Sequence, residues 1–236
     1  MSDYRKSFMS VGILCVVCSL LITTASTSLR GHQLRNMQLD RQKNLLRSVS
    51  LIDEQKQYLA EEIESIYRDN IRSFYADSDG RLLEATEETA GKLPIYLYMP
   101  EDQILAYIVP IDAQGLWGKI HGYLAIDNDG STITGFTVYR HQETPGLGGE
   151  IERQWFQKNF EGKKIVDRDG NFVSVGIARG AVEHRVPEER QIHYVDGIGG
   201  ATLTGRFLES SLKDILKEYE PVSVRFRKQM PLKTTE

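Results

Sequence analysis

The residues best placed to do chemistry lie in the run Asp196-Gly197-Ile198-Gly199-Gly200-Ala201-Thr202-Leu203-Thr204-Gly205. Two hydroxyls follow a stretch of small residues and stand directly before an apolar-periodic segment. Phe207, Leu208, Leu212, Ile215, Leu216 and Tyr219 recur at near-helical spacing, predicting a helix from Arg206 to Tyr219 that Pro221 stops. The threonines therefore fall at a helix N-terminus, where unpaired backbone N–H groups and the positive end of the helix dipole suit a phosphate. Glycine and alanine let a bulky group approach the backbone, and a threonine hydroxyl can cap the helix or act as a nucleophile. These residues alone leave two readings open: an ordinary capped glycine-rich loop, or a seat for a phosphorylated group.

A second concentration of polar and small residues is His141-Gln142-Glu143-Thr144-Pro145-Gly146-Leu147-Gly148-Gly149-Glu150, preceded by Gly115-Leu116-Trp117. The 146–151 stretch begins like a dinucleotide-binding fingerprint, but Ile151 occupies the third glycine position and no acidic residue follows at the right place in a βαβ unit. Gly162-Lys163-Lys164 lacks the upstream glycine and the Ser/Thr of a phosphate loop. His141 and Glu143 are of the types that serve as metal ligands or an acid/base pair, yet no second cluster completes a metal site; the plainer reading is that they order a loop.

Asp196-Gly-Ile-Gly-Gly-Ala-Thr202 resembles the flavinylation motif Asp-x-x-Ser/Thr-Gly-Ala-Thr, in which the last threonine is esterified by the phosphate of FMN; Gly199 stands where that motif usually has serine or threonine. The 141–150 and 115–117 segments, and Leu39-Asp40-Arg41-Gln42-Lys43-Asn44-Leu45-Leu46, are similar to segments of the NqrC family, a family of subunits of the sodium-translocating NADH:quinone reductases (Nqr), in the same order. The resemblance runs from the N-terminal segment to about Arg227. It implies covalent FMN on Thr202, with Asp196, Gly200, Ala201 and Thr204 in the same loop and Glu143, Gly146 and Gly148 beside the cofactor. An isoalloxazine ring needs apolar walls and hydrogen bonds to its edge, which Leu116, Trp117, Thr144, Pro145, Leu147 and nearby amides can supply. Trp117 taken alone reads as a core tryptophan; its place in Gly-Leu-Trp favours the pocket. The implied function is relay of single electrons inside a membrane complex. The other subunits and a maturation flavin transferase are the implied partners, and no complete active site is expected on this chain. The RnfG-type electron carrier of the Rnf complex is the related alternative, and an anchored flavin-binding sensor or assembly module is the alternative from another class.

The rest of the composition is consistent with that frame. At 236 residues with 40% hydrophobic and 26% charged, the chain suits one globular domain plus an appendage. A net charge of -4 offers no basic field for nucleic acid. Cys15 and Cys18 sit among apolar residues, where a redox or zinc pair is unsupported. From Ser7 to Leu29 the segment is long and apolar enough to cross a bilayer, although Thr23-Thr24-Ala25 is also acceptable to a signal peptidase. Flanking charges do not set its direction; the resemblance places the following domain outside the cytoplasm, on the inner membrane.

The elements that must position the two clusters follow from periodicity. Gln33 to Leu51 continues the first helix, a second helix is expected from Asp53 to Phe74, and Glu84 to Gly91 is an acidic mobile loop. Short alternating segments at Ile95–Tyr98, Ile104–Pro110, His121–Asp127 and Ile133–Arg140 predict an antiparallel sheet, with Asn128-Asp129-Gly130-Ser131 as a hairpin turn. A helix from Glu150 to Phe160, carrying Ile151, Trp155 and Phe156 toward the sheet, should precede strands at Lys164–Val166 and Phe172–Ala178. Blocks of this kind indicate an α+β fold. The expected domains are an anchor (1–30), a helical stalk and cover (31–91), an FMN-binding domain (92–228) and a tail (229–236).

Overall fold

The computed structural model describes residues 2–53, 56–84 and 91–232. The chain divides into two compact units, Met1–Asp40 and Arg41–Glu236. The described residues of the first lie within helix α1 (Ser2–Ser48), whose span from Tyr4 contains an 18-residue window apolar enough to cross a membrane. The helix closes on paired bonds, Leu51 N–H to Leu46 O and Ser50 N–H to Arg47 O, with Ser50 in the left-handed region at φ 56. That is the Schellman pattern with serine in the position usually given to glycine. Most of the predicted acidic loop, residues 85–90, lies outside the described residues.

In the second unit the end of α1 buries Leu45 and Leu46, and Asn44 O accepts the Thr137 hydroxyl at 3.2 Å. Helix α2 (Ala60–Asn70) is shorter than the predicted 53–74 element. Ile71 and Phe74 keep helical spacing, but their segment is strand β1 (Ile71–Ala76), because six residues pair with β3 (Leu93–Tyr98) after the short β2 (Leu82–Leu83). Backbone pairing to a distant strand overrides a local period that fits both structures. The sheet continues through β4 (Ala106–Gln114), β5 (Lys119–Asp127) and β6 (Ile133–Arg140) in the order β2-β1-β3-β4-β5-β6, antiparallel throughout. The 128–131 turn falls between β5 and β6, and the Asp129 carboxylate accepts the Ser131 and Thr132 amides.

The predicted 150–160 helix is instead a 3-10 turn (Gly148–Glu152) and a short α3 (Gln154–Lys158), broken at Arg153 with φ -77 and ψ 141. Ile151 and Phe156 are buried as expected, whereas Trp155 faces outward, 48% exposed. The strands expected at 164–166 and 172–178 reduce to single bridges and β7 (Gly176–Ile177). Asp167 satisfies the amides of Asp169 and Asn171 locally, so this segment meets its hydrogen-bonding needs without a ladder. A short α4 (Val182–Arg185) precedes β8 (Tyr194–Val195), which pairs in parallel with β7. Helix α5 (Thr202–Glu218) starts one turn earlier than its apolar period, and α6 (Glu220–Arg227) carries proline in its first turn. Leu208, Leu212 and Leu216, four apart, are fully buried and join one core with Val109 and Ile111 of β4 and Ile120 and Leu124 of β5. The architecture is α+β, and this packing lays the middle of α5 beside the end of β4.

Candidate functional site

The two clusters meet the Gly-Leu-Trp hairpin at one carboxylate. Residues 115–118 link β4 to β5, closed by the Gly115 N–H to Gly118 O bond at 2.8 Å, with Leu116 and Trp117 at the tip. Trp117 is 66% exposed, which removes the core reading of this residue. Its backbone N–H donates to Glu143 Oε1 at 2.9 Å across a separation of 26 residues. The other oxygen, Oε2, accepts the Thr204 hydroxyl at 2.6 Å across 61 residues. Glu143 is 4% and Thr204 2% exposed. Cβ atoms at Gly115 or Gly148 would collide with the carboxylate, so both glycines are required by packing.

The loop after Glu143 is a turn in which Leu147 N–H donates to Thr144 O, with Pro145 second and Gly146 third at φ +72. Proline followed by glycine with positive φ is the signature of a type II turn. It holds Thr144, Pro145, Gly146 and Leu147 at the surface, Leu147 being 44% exposed. His141 fixes the base of the loop: Nδ1 accepts the Glu143 N–H at 3.1 Å, so the proton sits on Nε2, which faces Glu152 at 3.1 Å. The pair orders the loop; among the described residues no group of three or more His, Cys, Asp or Glu is arranged to hold a metal.

The 196–205 run divides its labour. Asp196 Oδ1 accepts the Val182 N–H at 2.7 Å, tying the loop to the start of α4. Gly200, at φ +76, passes so close to Leu147 that a Cβ there would press its Cδ2, while Gly199 has open space around it. Ala201 is the buried N-cap of α5 and, with only a methyl side chain, has no atom to cap it. The first backbone bond back into the helix is donated by Gly205 to Ala201 O, leaving the amides of 202–204 directed out of the terminus. Thr202 is exposed there, whereas Thr204 is held by Glu143. An accessible hydroxyl, a glycine-lined approach and an uncapped helix terminus fit a phosphate-bearing group.

Two further residues of this surface are Leu203, which sequence reasoning does not single out, and Phe207, which it places in the apolar period of the helix; in the structure they are 50% and 42% exposed on α5. Ser211, one turn beyond Phe207, accepts the Gln114 N–H at 2.9 Å, which sets that face beside the Gly-Leu-Trp hairpin. Phe207 stands beside Leu208 in the chain and so falls off the buried stripe of Leu208, Leu212 and Leu216, which corrects its place in the predicted apolar period.

Known proteins match this arrangement. The FMN-binding domain family matches residues 115–217, the span that holds all three converging segments. The NqrC subunit of the Na(+)-translocating NADH-quinone reductase from Yersinia pestis is 32% identical over 90% of this chain and 88% of its own length. The same subunit from Vibrio campbellii is 32% identical over 89% and 90%. The crystal structure of this subunit from Parabacteroides distasonis superposes with a TM-score of 0.70 at 29% identity, covering 83% of this chain and 96% of that one. With the fold, the domain and nearly the full length in agreement, the chain belongs to the NqrC family of Na(+)-translocating NADH-quinone reductase subunits.

Proposed function

We propose that this subunit is a membrane-anchored flavoprotein that relays single electrons through FMN joined by a phosphoester to Thr202. The observation that carries the reading is the contrast between two neighbouring hydroxyls: Thr202 is exposed at the uncapped start of α5, and Thr204 is buried and committed to Glu143. Bound FMN would supply the one-electron redox chemistry. The amides of the first turn of α5 would hold the phosphate, and the open space at Gly199 would admit it beside Gly200. Leu116, Trp117 and Leu147, all exposed, would wall the ring, Thr144 to Gly148 would frame its edge, and Leu203 and Phe207 would extend the apolar surface.

Threonine is a weak nucleophile at neutral pH, so attachment calls for a separate flavin transferase. The Thr202 oxygen forms a bond to the FMN phosphorus of FAD, the pyrophosphate bond to AMP breaks, and the hydroxyl proton passes to a base of that transferase. A metal on the transferase holds the pyrophosphate. Residues 1–30 form a single-pass anchor in the inner membrane, and the domain that follows, with β1 and β2 in its sheet, carries the flavin outside the cytoplasm. The other subunits of the reductase supply and accept the electrons. In protein made with the transferase, Thr202→Ala abolishes the flavin fluorescence of the denatured band and Thr204→Ala retains it; fluorescence retained in Thr202→Ala refutes the assignment.

A further inference from the structure

We propose that Glu143 is a positioning residue whose buried negative charge also governs how readily the adjoining flavin accepts an electron; this rests on the FMN reading above. Both oxygens of Glu143 are used inside the protein, by the Trp117 amide at 2.9 Å and the Thr204 hydroxyl at 2.6 Å, so the side chain is a clasp between the wall of the pocket and the helix that begins at Thr202. Both partners are neutral donors, and with each oxygen accepting, the group fits its ionised form. His141 supplies no opposing charge, because its Nδ1 accepts the amide of Glu143 and its Nε2 turns to Glu152.

A clasp alone does not require an acid. Glutamine in the same place would accept from the Trp117 amide and donate to Thr204, without the desolvation penalty of a buried charge. The use of a carboxylate at 4% exposure, in space kept clear by Gly115 and Gly148, points to a role for the charge itself. Charges act strongly through a medium of low dielectric. When the flavin ring takes one electron from its donor without a proton, it gains a negative charge, and the neighbouring carboxylate opposes that gain. Glu143 therefore holds the flavin at a lower potential than an uncharged clasp would.

The test uses the full chain, flavinylated by its transferase and solubilised in detergent, with spectroelectrochemical titration of the wild type, Glu143→Gln and Thr204→Val. Glu143→Gln removes the charge and keeps the geometry, so it titrates at a more positive potential. Thr204→Val leaves the carboxylate with one hydrogen bond fewer to offset its charge, so it titrates at a more negative potential. Loosening of the pocket would move both variants the same way; a common direction, or no shift in Glu143→Gln, overturns the charge effect. The positioning role is read without flavin, in a Thr202→Ala, Trp155→Phe background where Trp117 is the remaining one of two tryptophans. Its fluorescence anisotropy falls in Glu143→Ala and is kept in Glu143→Gln; an unchanged anisotropy in Glu143→Ala overturns the clasp. Absence of an FMN adduct from the wild type, measured first by intact mass, refutes the proposed function and the charge effect with it, while the anisotropy still decides the positioning role.

Discussion

Replacing Thr204 with valine isolates the hydrogen bond that joins α5 to the 141–150 loop. Valine keeps the β-branched shape in a site that is 2% exposed, so the packing change is small, while Glu143 Oε2 loses its 2.6 Å donor. A hydrogen bond to a charged acceptor contributes about 1.5–3 kcal/mol, and the abandoned oxygen belongs to a side chain only 4% exposed. The expected loss in unfolding free energy is therefore about 1.5–3 kcal/mol, which for a unit of this size lowers the melting temperature by roughly 3–12 °C. Exposed Thr202 provides the control: Thr202→Val should stay within about 0.5 kcal/mol of the wild type, as surface substitutions usually do. Denaturant unfolding of the flavin-free protein, followed by far-UV circular dichroism, measures both. If Thr204→Val proves as mild as Thr202→Val, the Glu143 clasp contributes nothing to stability and the reasoning fails.

Gly200→Ala forces a side chain into φ +76 and against Leu147, so it should destabilise by about 1–2 kcal/mol and reduce flavin loading, measured as the flavin-to-protein absorbance ratio. Ser50→Gly relieves the left-handed residue that closes α1 and should raise stability by up to about 1 kcal/mol in denaturant unfolding. Burial, reinforced by the Arg140 guanidinium 2.7 Å from Nε2, holds the His121 pKa below its ordinary value even though Asp112 pulls it up. A histidine depressed in the folded state stabilises above its unfolded pKa and loses that contribution as pH falls through the folded value. The melting temperature should therefore drop less between pH 7 and 5 in His121→Gln than in the wild type; an equal drop would show that His121 is not the group responsible.

The features legible in the sequence are those written in local patterns. The apolar 7–29 run, the β5–β6 hairpin turn and the leucine stripe of α5 each appear where their periods or turn residues place them. The failures have separate causes. Ile71 and Phe74 satisfy a helical period as well as a strand, and only the remote partner β3 decides between them. Trp155 shares the period of Phe156 and Ile151, but the break at Arg153 turns it outward. At the site, the sequence brought the right segments forward without showing how they join. No spacing rule links Glu143 to residues 26 and 61 positions away, and both oxygens of that carboxylate are invisible until the β4–β5 hairpin and α5 are packed together. Asp196 likewise reads as part of the cofactor motif, while its carboxylate serves the backbone of α4.

The central claim is tested most directly by the mass of the native protein and of its proteolytic peptides. Purified from cells that carry a functional flavin transferase, the chain should be heavier than its sequence by one FMN joined with loss of water, and fragmentation should place that mass on Thr202. An unmodified mass, or an adduct located on Thr204 or elsewhere, would contradict the account.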